Sequence, residues 1–366
     1  MYNIPQFVSQ PEQVARLQAA LDSGHSQLLS SVKIKLTSFC NLRCQMCHYW
    51  KTKSEQSLST DQWFDVLAQL ADMGCRKVHF SGGEVFLRRD FLDLVEHGTA
   101  LKLKINMTTN GTLLTDERLR RLIRARPNSI SLSLDGSKAE LHDAIRGIPG
   151  SFKRTTRTVR KLAELGDRLG HRPRLRINSV LQRSNYKCLP QLVRMVSELG
   201  ATELHPMPVD EKGERKNRLS RGQIEVYNRD IAPRVLEERQ RAGFSTAPWM
   251  IYPFGQTELE MESSRKGEYS LGLYRQKPCL SPWMHLFIGW DGETFLCCMT
   301  NRRMDSLGNV ALQSLDAIFN GPAMRAVREN FRQLKLESSC RRCDMVTSEN
   351  RMLHQALEKN ALQASL

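Results

Sequence analysis

Long hydrophobic runs are missing from this sequence: no apolar stretch reaches the roughly 18 residues that cross a bilayer, which excludes a transmembrane helix. The opening "MYNIPQFVSQPEQVARLQ" lacks the basic start, apolar run and small-residue cleavage site of a secretory signal. The protein is therefore expected to be soluble and cytoplasmic, with no membrane partner. No internal repeat is found. There is no recognised nucleic-acid-binding motif and no basic stripe interleaved with aromatics, so nucleic acid is not an expected partner. Acidic residues are in deficit, 39 Asp and Glu against 54 Lys and Arg, leaving a formal charge of +15. The excess is spread along the chain, with dense stretches at "RLRRLIRAR" (118–126) and "HRPRLRIN" (171–178). Most of it reads as a solvated basic surface, and the balance favours acidic partners.

What is present is length and cysteine. A chain of 366 residues can bury one large domain of roughly 200 to 250 residues and a smaller one without disulfide staples. Ten cysteines in a compartment that keeps thiols reduced point to ligands or buried thiols. Seven of them fall into two spaced sets; Cys75 and Cys188, each in a helical context, read as packed thiols.

After a helical N-terminal segment (1–30), short β-rich runs alternate with helical stretches, the pattern of βα units and a parallel sheet. The predicted strands are 32–38, 77–83, 103–111, 129–136, 174–181 and 203–209, with a helix between the first two capped by Ser59 or Thr60 and ended by Gly74. Six units are too few for a closed eight-stranded barrel. The expected fold class is α/β, a partial (β/α)6 TIM barrel over 31–242. A linker or loop region (243–278) follows, with "ELEMESSRKGEYS" as its polar stretch. Next comes a small unit (279–345) in which Asp291 and Gly292 suit a hairpin turn, and then a C-terminal helix (346–366). In parallel α/β folds, function sits on loops after the carboxyl ends of strands. "SFCNLRCQMC", "SGGE", "TTNG" and "SLDG" follow the first four strands in turn.

Cys40, Cys44 and Cys47 lie within one loop, so three thiolates can grip a single polynuclear iron site and leave one iron without a protein ligand. An open position suits a catalytic centre, as it does for zinc. A zinc or structural site completed by His48 or a distant residue is the other reading. With "SGGE" on the second loop, the spacing CxxxCxxC resembles the radical S-adenosylmethionine (SAM) superfamily over residues 31–210. That resemblance implies a [4Fe-4S] cluster whose open iron chelates SAM. It also implies reductive cleavage to methionine and a 5′-deoxyadenosyl radical that takes a hydrogen atom from substrate. It further implies that Ser81, Gly82, Gly83 and Glu84 hold the methionine amine and Asn110 the ribose. Ser133 and Asp135 would make sugar or carboxylate contacts, and Arg146 would meet the SAM carboxylate. Met46 stands where many members place an aromatic residue near the adenine, and "GGEV" replaces the commoner "GGEP".

The second set offers Cys279, Cys297 or Cys298, Cys340 and Cys343, enough sulfur to close a cluster completely, with a zinc ribbon as the alternative. Its order of motifs, from "CLSPW" through "DGETFLCC" to "CRRCD", resembles the twitch form of the SPASM extension (279–344) and implies one auxiliary [4Fe-4S] cluster. The spacing in twitch dehydrogenases favours Cys297 as the ligand. Cys298 is then a packed thiol or a hydrogen-atom donor. A fully ligated cluster suits electron transfer, hence net oxidation, and resemblance to dehydrogenases of this type makes a cyclitol or aminosugar alcohol a candidate substrate. A peptide maturase forming thioether or carbon–carbon links, or epimerising residues, is the rival; the short N-terminal segment is expected to leave no room for a leader-binding domain. His205 and His285 are candidate general bases. Flavodoxin or ferredoxin is the expected electron donor, and a small molecule or peptide the expected substrate.

Overall fold

Apolar residues alternate with polar ones along each predicted strand, and the computed structural model turns that alternation into a sheet with two unlike faces. It describes residues 3–52, 57–211 and 216–364. Six parallel strands, β1 (Ser31–Lys35), β2 (Lys77–Ser81), β3 (Lys104–Thr109), β4 (Ser129–Ser133), β5 (Arg174–Leu181) and β6 (Glu203–Pro208), pair in sequence order. The first four end before the sequence pattern suggested, because residues such as Leu36–Ser38 and Gly82–Gly83 leave the ladder to build the rim. Val32, Ile34, Val78, Phe80, Ile130 and Ile177 bury fully on the outer face against the crossover helices. Ser59 caps the helix Thr60–Asp72 through a capping box with Gln62, and Gly74 follows it with φ 73°.

The inner face differs from the apolar filling of a closed barrel. The register sets Lys33 beside His79, His79 beside Asn106, and Ser131 beside Arg176. Side chains of the same parity on a strand share a face, so Lys33, Lys35, Lys77, His79, Arg176 and His205 line one concave surface.

The hairpin of the second unit continues this sheet. Its first strand, β7 (His285–Ile288), pairs parallel with β1, from Ser31 opposite His285 to Ile34 opposite Ile288. β8 (Thr294–Phe295) returns antiparallel through a turn containing Asp291 and Gly292. Gly292 has φ 85°, and a Cβ there would lie 2.5 Å from Asn309 Oδ1. At the far side, Asp210, just beyond β6, pairs with Arg303 at 3.0 Å and with Arg342. The second unit thus reaches from the β1 edge to the β6 side, across the gap a six-stranded barrel leaves.

One expectation needs correction. The stretch 243–278 contains helices Pro248–Ile251, Glu258–Lys266 and Leu273–Gln276 rather than a loop, with Met250, Ile251, Phe254, Met261 and Tyr274 buried. The capping box of Thr257 and Glu260 starts the middle helix, a signal present in "TELE" and outweighed by the polar composition. Helices Ile4–Val8 and Pro11–Ser23 pack against the terminal helix Thr347–Ala364. Arg328, fully buried, binds the carbonyls of Gly24 and Pro282 and so ties the N-terminal segment to the second unit. Among the described residues no helix is long and apolar enough to cross a membrane.

Candidate functional site

The loop after β1 carries Cys40, Cys44 and Cys47, all unbridged. Its backbone is clamped on both sides. Gly83 N–H donates to Thr37 O at 2.8 Å and Glu84 N–H to Phe39 O at 2.7 Å. A Cβ on Gly83 would lie 2.0 Å from Phe39 O, and one on Gly82 2.6 Å from Thr37 O. The two glycines therefore let a second backbone pack against the cysteine loop, a requirement additional to the ligand approach expected of them. On the other side, Arg43 and Gln45 N–H groups donate to the carbonyls of Arg146 and Ile145.

Glu84 is not left facing a ligand. It is fully buried, and its carboxylate accepts from Thr109 Oγ1 at 2.6 Å, Asn110 N–H at 2.7 Å and Phe86 N–H at 3.1 Å. Burial pushes its pKa up, and these three donors oppose that. The side chain locks the β2 loop to the β3 loop. Ser81 Oγ itself bonds Ile34 O at 3.4 Å. Asn110 donates to Asn41 Oδ1 at 2.8 Å and accepts from Thr112, so it braces the residue next to Cys40.

Asp135 is held within the chain in the same way. It has no exposed surface; it pairs with Arg146 at 2.7 Å and accepts from Val180 N–H at 2.8 Å. Burial raises its pKa and Arg146 lowers it. The acid thus orients Arg146, whose Nη1 lies 3.7 Å from Cys44 Sγ. Ser133, at the end of β4, and Met46, inside the cysteine loop, remain half-buried. Both stay available to a bound molecule.

In the second unit Cys279, Cys340 and Cys343 are buried and Cys297 is half-buried. Burial raises the pKa of Cys297, Cys340 and Cys343 first; Cys297 adds to the rise at Cys340 and Cys343, and Cys298 and then Cys279 to that at Cys297, so these thiols share one neighbourhood. Cys298 also acts on Lys35 and Tyr49. Of the two adjacent thiols, Cys297 bears on Cys340 and Cys343, and Cys298 on residues beside the first loop. Asn350, fully buried, lies 3.6 Å from Cys279 Sγ.

Between the two sets stand residues the sequence did not single out. The Lys35 ammonium sits 2.8 Å from the Tyr49 ring centroid. Burial lowers its pKa first, then Lys33, while Cys47 of the first set and Cys298 of the second oppose this. Tyr49 OH accepts from Asn301 Nδ2 at 2.9 Å. The alternation "VKIK", with charge at every second place of a strand buried on its other face, is the signal that marks Lys33 and Lys35.

The two histidines separate. His205 faces the concave side with its ring 5.4 Å from Trp249; burial, then Arg176 and Arg239, push its pKa down to about 3. His285 begins β7 opposite Ser31, whose hydroxyl is 2.9 Å from Nδ1. That is the amino end of the sheet, roughly 13 Å of strand away from the rim, so its expected reach to a substrate beside the cysteine loop is not supported. Cys75 is buried, its pKa pushed up to about 12, and Cys188 is half-buried.

The donor chemistry fits two iron–sulfur clusters. Among the described residues no three His, Cys, Asp or Glu side chains close on a single ion; thiolates are the donors that iron–sulfur clusters take. Burial pushes Cys40 up to about 11 and Cys297 to about 12; bound iron supplies the charge that keeps such thiols deprotonated.

Comparison with known proteins agrees with this chemistry. Residues 34–172 match the Radical SAM superfamily, and residues 279–344 match the SPASM iron-sulfur cluster-binding domain. The PqqA peptide cyclase of Rhodopseudomonas palustris is 34% identical over 176 residues, 48% of this chain and 45% of that protein. The AdoMet-dependent heme synthase of Methanosarcina barkeri is 34% identical over 173 residues, 47% of this chain and 48% of that protein. The chain thus spans about half the length of these curated relatives. In fold it is similar to Streptococcus suis SuiB bound to precursor peptide SuiA, with TM-score 0.65 and 17% identity over 92% of this chain and 76% of that one. The matched domains imply SAM and [4Fe-4S] clusters, an auxiliary one in the second unit.

Proposed function

The chain belongs to the radical SAM superfamily and carries a SPASM-type iron–sulfur domain, and from that premise we propose that it is an oxidoreductase coupling reductive SAM cleavage to two-electron oxidation of a biosynthetic substrate, with a peptide as the favoured class. A cluster held by Cys40, Cys44 and Cys47 would supply the electron for reductive SAM cleavage and so the radical chemistry of hydrogen-atom abstraction, and one held by Cys279, Cys297, Cys340 and Cys343 would supply an acceptor for the electron that substrate oxidation releases.

The observation that carries this reading is the placement of Lys35, between Cys47 of the first set and Cys298 beside the second. Cys40, Cys44 and Cys47 hold the first cluster, and Arg146, fixed by Asp135, bears on Cys44. Ser133, Met46 and the backbone of Ser81–Gly83 border the SAM position. Cys279, Cys297, Cys340 and Cys343 hold the second cluster, leaving Cys298 as the thiol placed to meet substrate. His205, with its pKa pushed down to about 3, stays neutral and serves as a hydrogen-bonding group rather than a strong base.

A peptide is favoured because one relative is named as a peptide cyclase and the shared fold accommodates a precursor peptide in SuiB. The row Ser129, Ser131 and Ser133 on one face of β4 keeps a cyclitol or aminosugar as the second reading. A flavodoxin or ferredoxin supplies the first electron, its acidic surface matched to the charge of +15.

Anaerobic reconstitution tests the reading: about eight irons per chain and dithionite-dependent 5′-deoxyadenosine are expected. Zinc incorporation with intact SAM would overturn it. Cys340→Ala should spare SAM cleavage and abolish oxidised product; equal loss of both would count against electron acceptance by the second site.

A further inference from the structure

The concave face of the sheet carries more positive charge than any step above uses. Lys33 on β1, Lys77 on β2 and Arg176 on β5 all act on His79, so the curvature of the sheet gathers cations from three strands around one ring. Arg176 is exposed and Lys33 half-buried, which shows that the face is reached by solvent. Neither has an ion-pair partner among the described residues. The acids nearby do not cancel the field. Glu203 is taken by Arg239 and by Ser245 N–H. Asp344 and Glu349 approach from the C-terminal segment, Asp344 bearing on Lys33 and Glu349 on both Lys77 and Arg176, but among the described residues neither closes an ion pair with Lys33 or Arg176. The neutral groups on this face mostly donate or are already satisfied: Asn106 Oδ1 accepts from Asn128 and Ser129, and His79 Nε2 shares a hydrogen bond with Thr108.

We propose that this face is a carboxylate-binding subsite for the substrate, with Lys33 and Arg176 as its charged contacts beneath the cysteine loop. Lys33 lies two residues below Lys35, roughly 7 Å of strand. The substrate therefore carries its anionic group several bonds from the carbon that reacts at the rim, as the side chain of a glutamate residue or a free dicarboxylic acid would. The inference rests on the radical SAM reading for what happens at the rim, while the charge pattern stands without it.

Saturation-transfer NMR on the SAM-loaded, reconstituted protein tests it, with glutarate, its uncharged analogue glutaramide and N-acetyl-glutamate amide as probes. Glutarate and the capped glutamate should bind saturably and glutaramide at least tenfold more weakly. The tighter of the two acids identifies the source as free acid or peptide side chain. Lys33→Met with Arg176→Met should weaken the acids at least tenfold, whereas Arg120→Met on an exposed helix should leave them unchanged. Absence of acid binding, equal binding of glutaramide, or an unchanged double variant with full iron content would overturn the proposal. SAM cleavage measured on the same samples separates the two ideas. Cleavage without acid binding removes only the subsite, and acid binding without cleavage removes only the radical reading.

Discussion

Asn301 donates a hydrogen bond to the Tyr49 hydroxyl at 2.9 Å, joining the loop after β1 to the loop after β8 across 252 residues of sequence. With the parallel pairing of β1 and β7, this contact fixes how the two cysteine sets face each other. Tyr49→Phe removes the acceptor and leaves the ring beside Lys35, so it should cost about 1 kcal/mol in urea unfolding. Iron content should stay unchanged. Loss of iron would show instead that Tyr49 supports a cluster directly.

Gly83→Ala places a methyl 2.0 Å from Phe39 O, a contact between backbones that no rotamer relieves. The loop bearing Cys40 must move. The variant should lose about four of the roughly eight irons and its SAM cleavage, while keeping the spectrum of the second cluster. Gly222→Ala, with nothing within 4 Å of the added methyl, should retain both. Full iron in Gly83→Ala would mean that the loop tolerates the displacement.

These residues also show how far the sequence could be read. The two cysteine sets, the six strands and the hairpin turn follow from local spacing and alternation, which survive folding unchanged. Glu84 and Asp135 do not, since each sits in a recognisable motif while its partners, Thr109 with Asn110 and Arg146 with Val180, are fixed only when separate strands align. Local pattern likewise could not orient Cys297 against Cys298. Lys33 and Lys35 were legible in principle, because parallel strands covered on both faces read as continuous apolar runs and "VKIK" does not. The short helices of 248–276 were hidden by their length, too brief to show a helical period.

Stability should fall in mild acid partly through His142. This buried ring accepts at Nδ1 from Asp135 N–H at 3.2 Å, and burial, helped by Arg146 and opposed by Asp143, pushes its pKa down to about 3. The folded protein keeps the ring neutral, whereas the unfolded chain takes up a proton below about 6.5. The stability present above that pH is therefore lost as pH falls toward 3, at up to about 1.4 kcal/mol per pH unit. His142→Asn retains an acceptor without the titration. Urea unfolding of the two reconstituted proteins at pH 7, 6 and 5 should show a shallower loss in the variant; parallel curves would place the protonation elsewhere.

Asn350 is placed to set the potential of the second cluster. Its Oδ1 accepts from Leu280 N–H at 2.7 Å, and its Nδ2 approaches Val346 O, Tyr274 OH and Cys279 Sγ, the last at 3.6 Å. An N–H directed at a ligand sulfur stabilises the more negative, reduced cluster, so it raises the potential. Asn350→Leu removes that donor and the clamp on Leu280. If the hydrogen bond contributes about 1 kcal/mol, the potential should drop by on the order of 40 mV. Redox titration followed by EPR reads this directly, with the first cluster, whose sulfur neighbour is Arg146, as the internal reference. A drop confined to the second cluster assigns the tuning to Asn350. Equal shifts in both would point to a global change in packing, and no shift would mean that Asn350 serves only to hold the chain around Cys279.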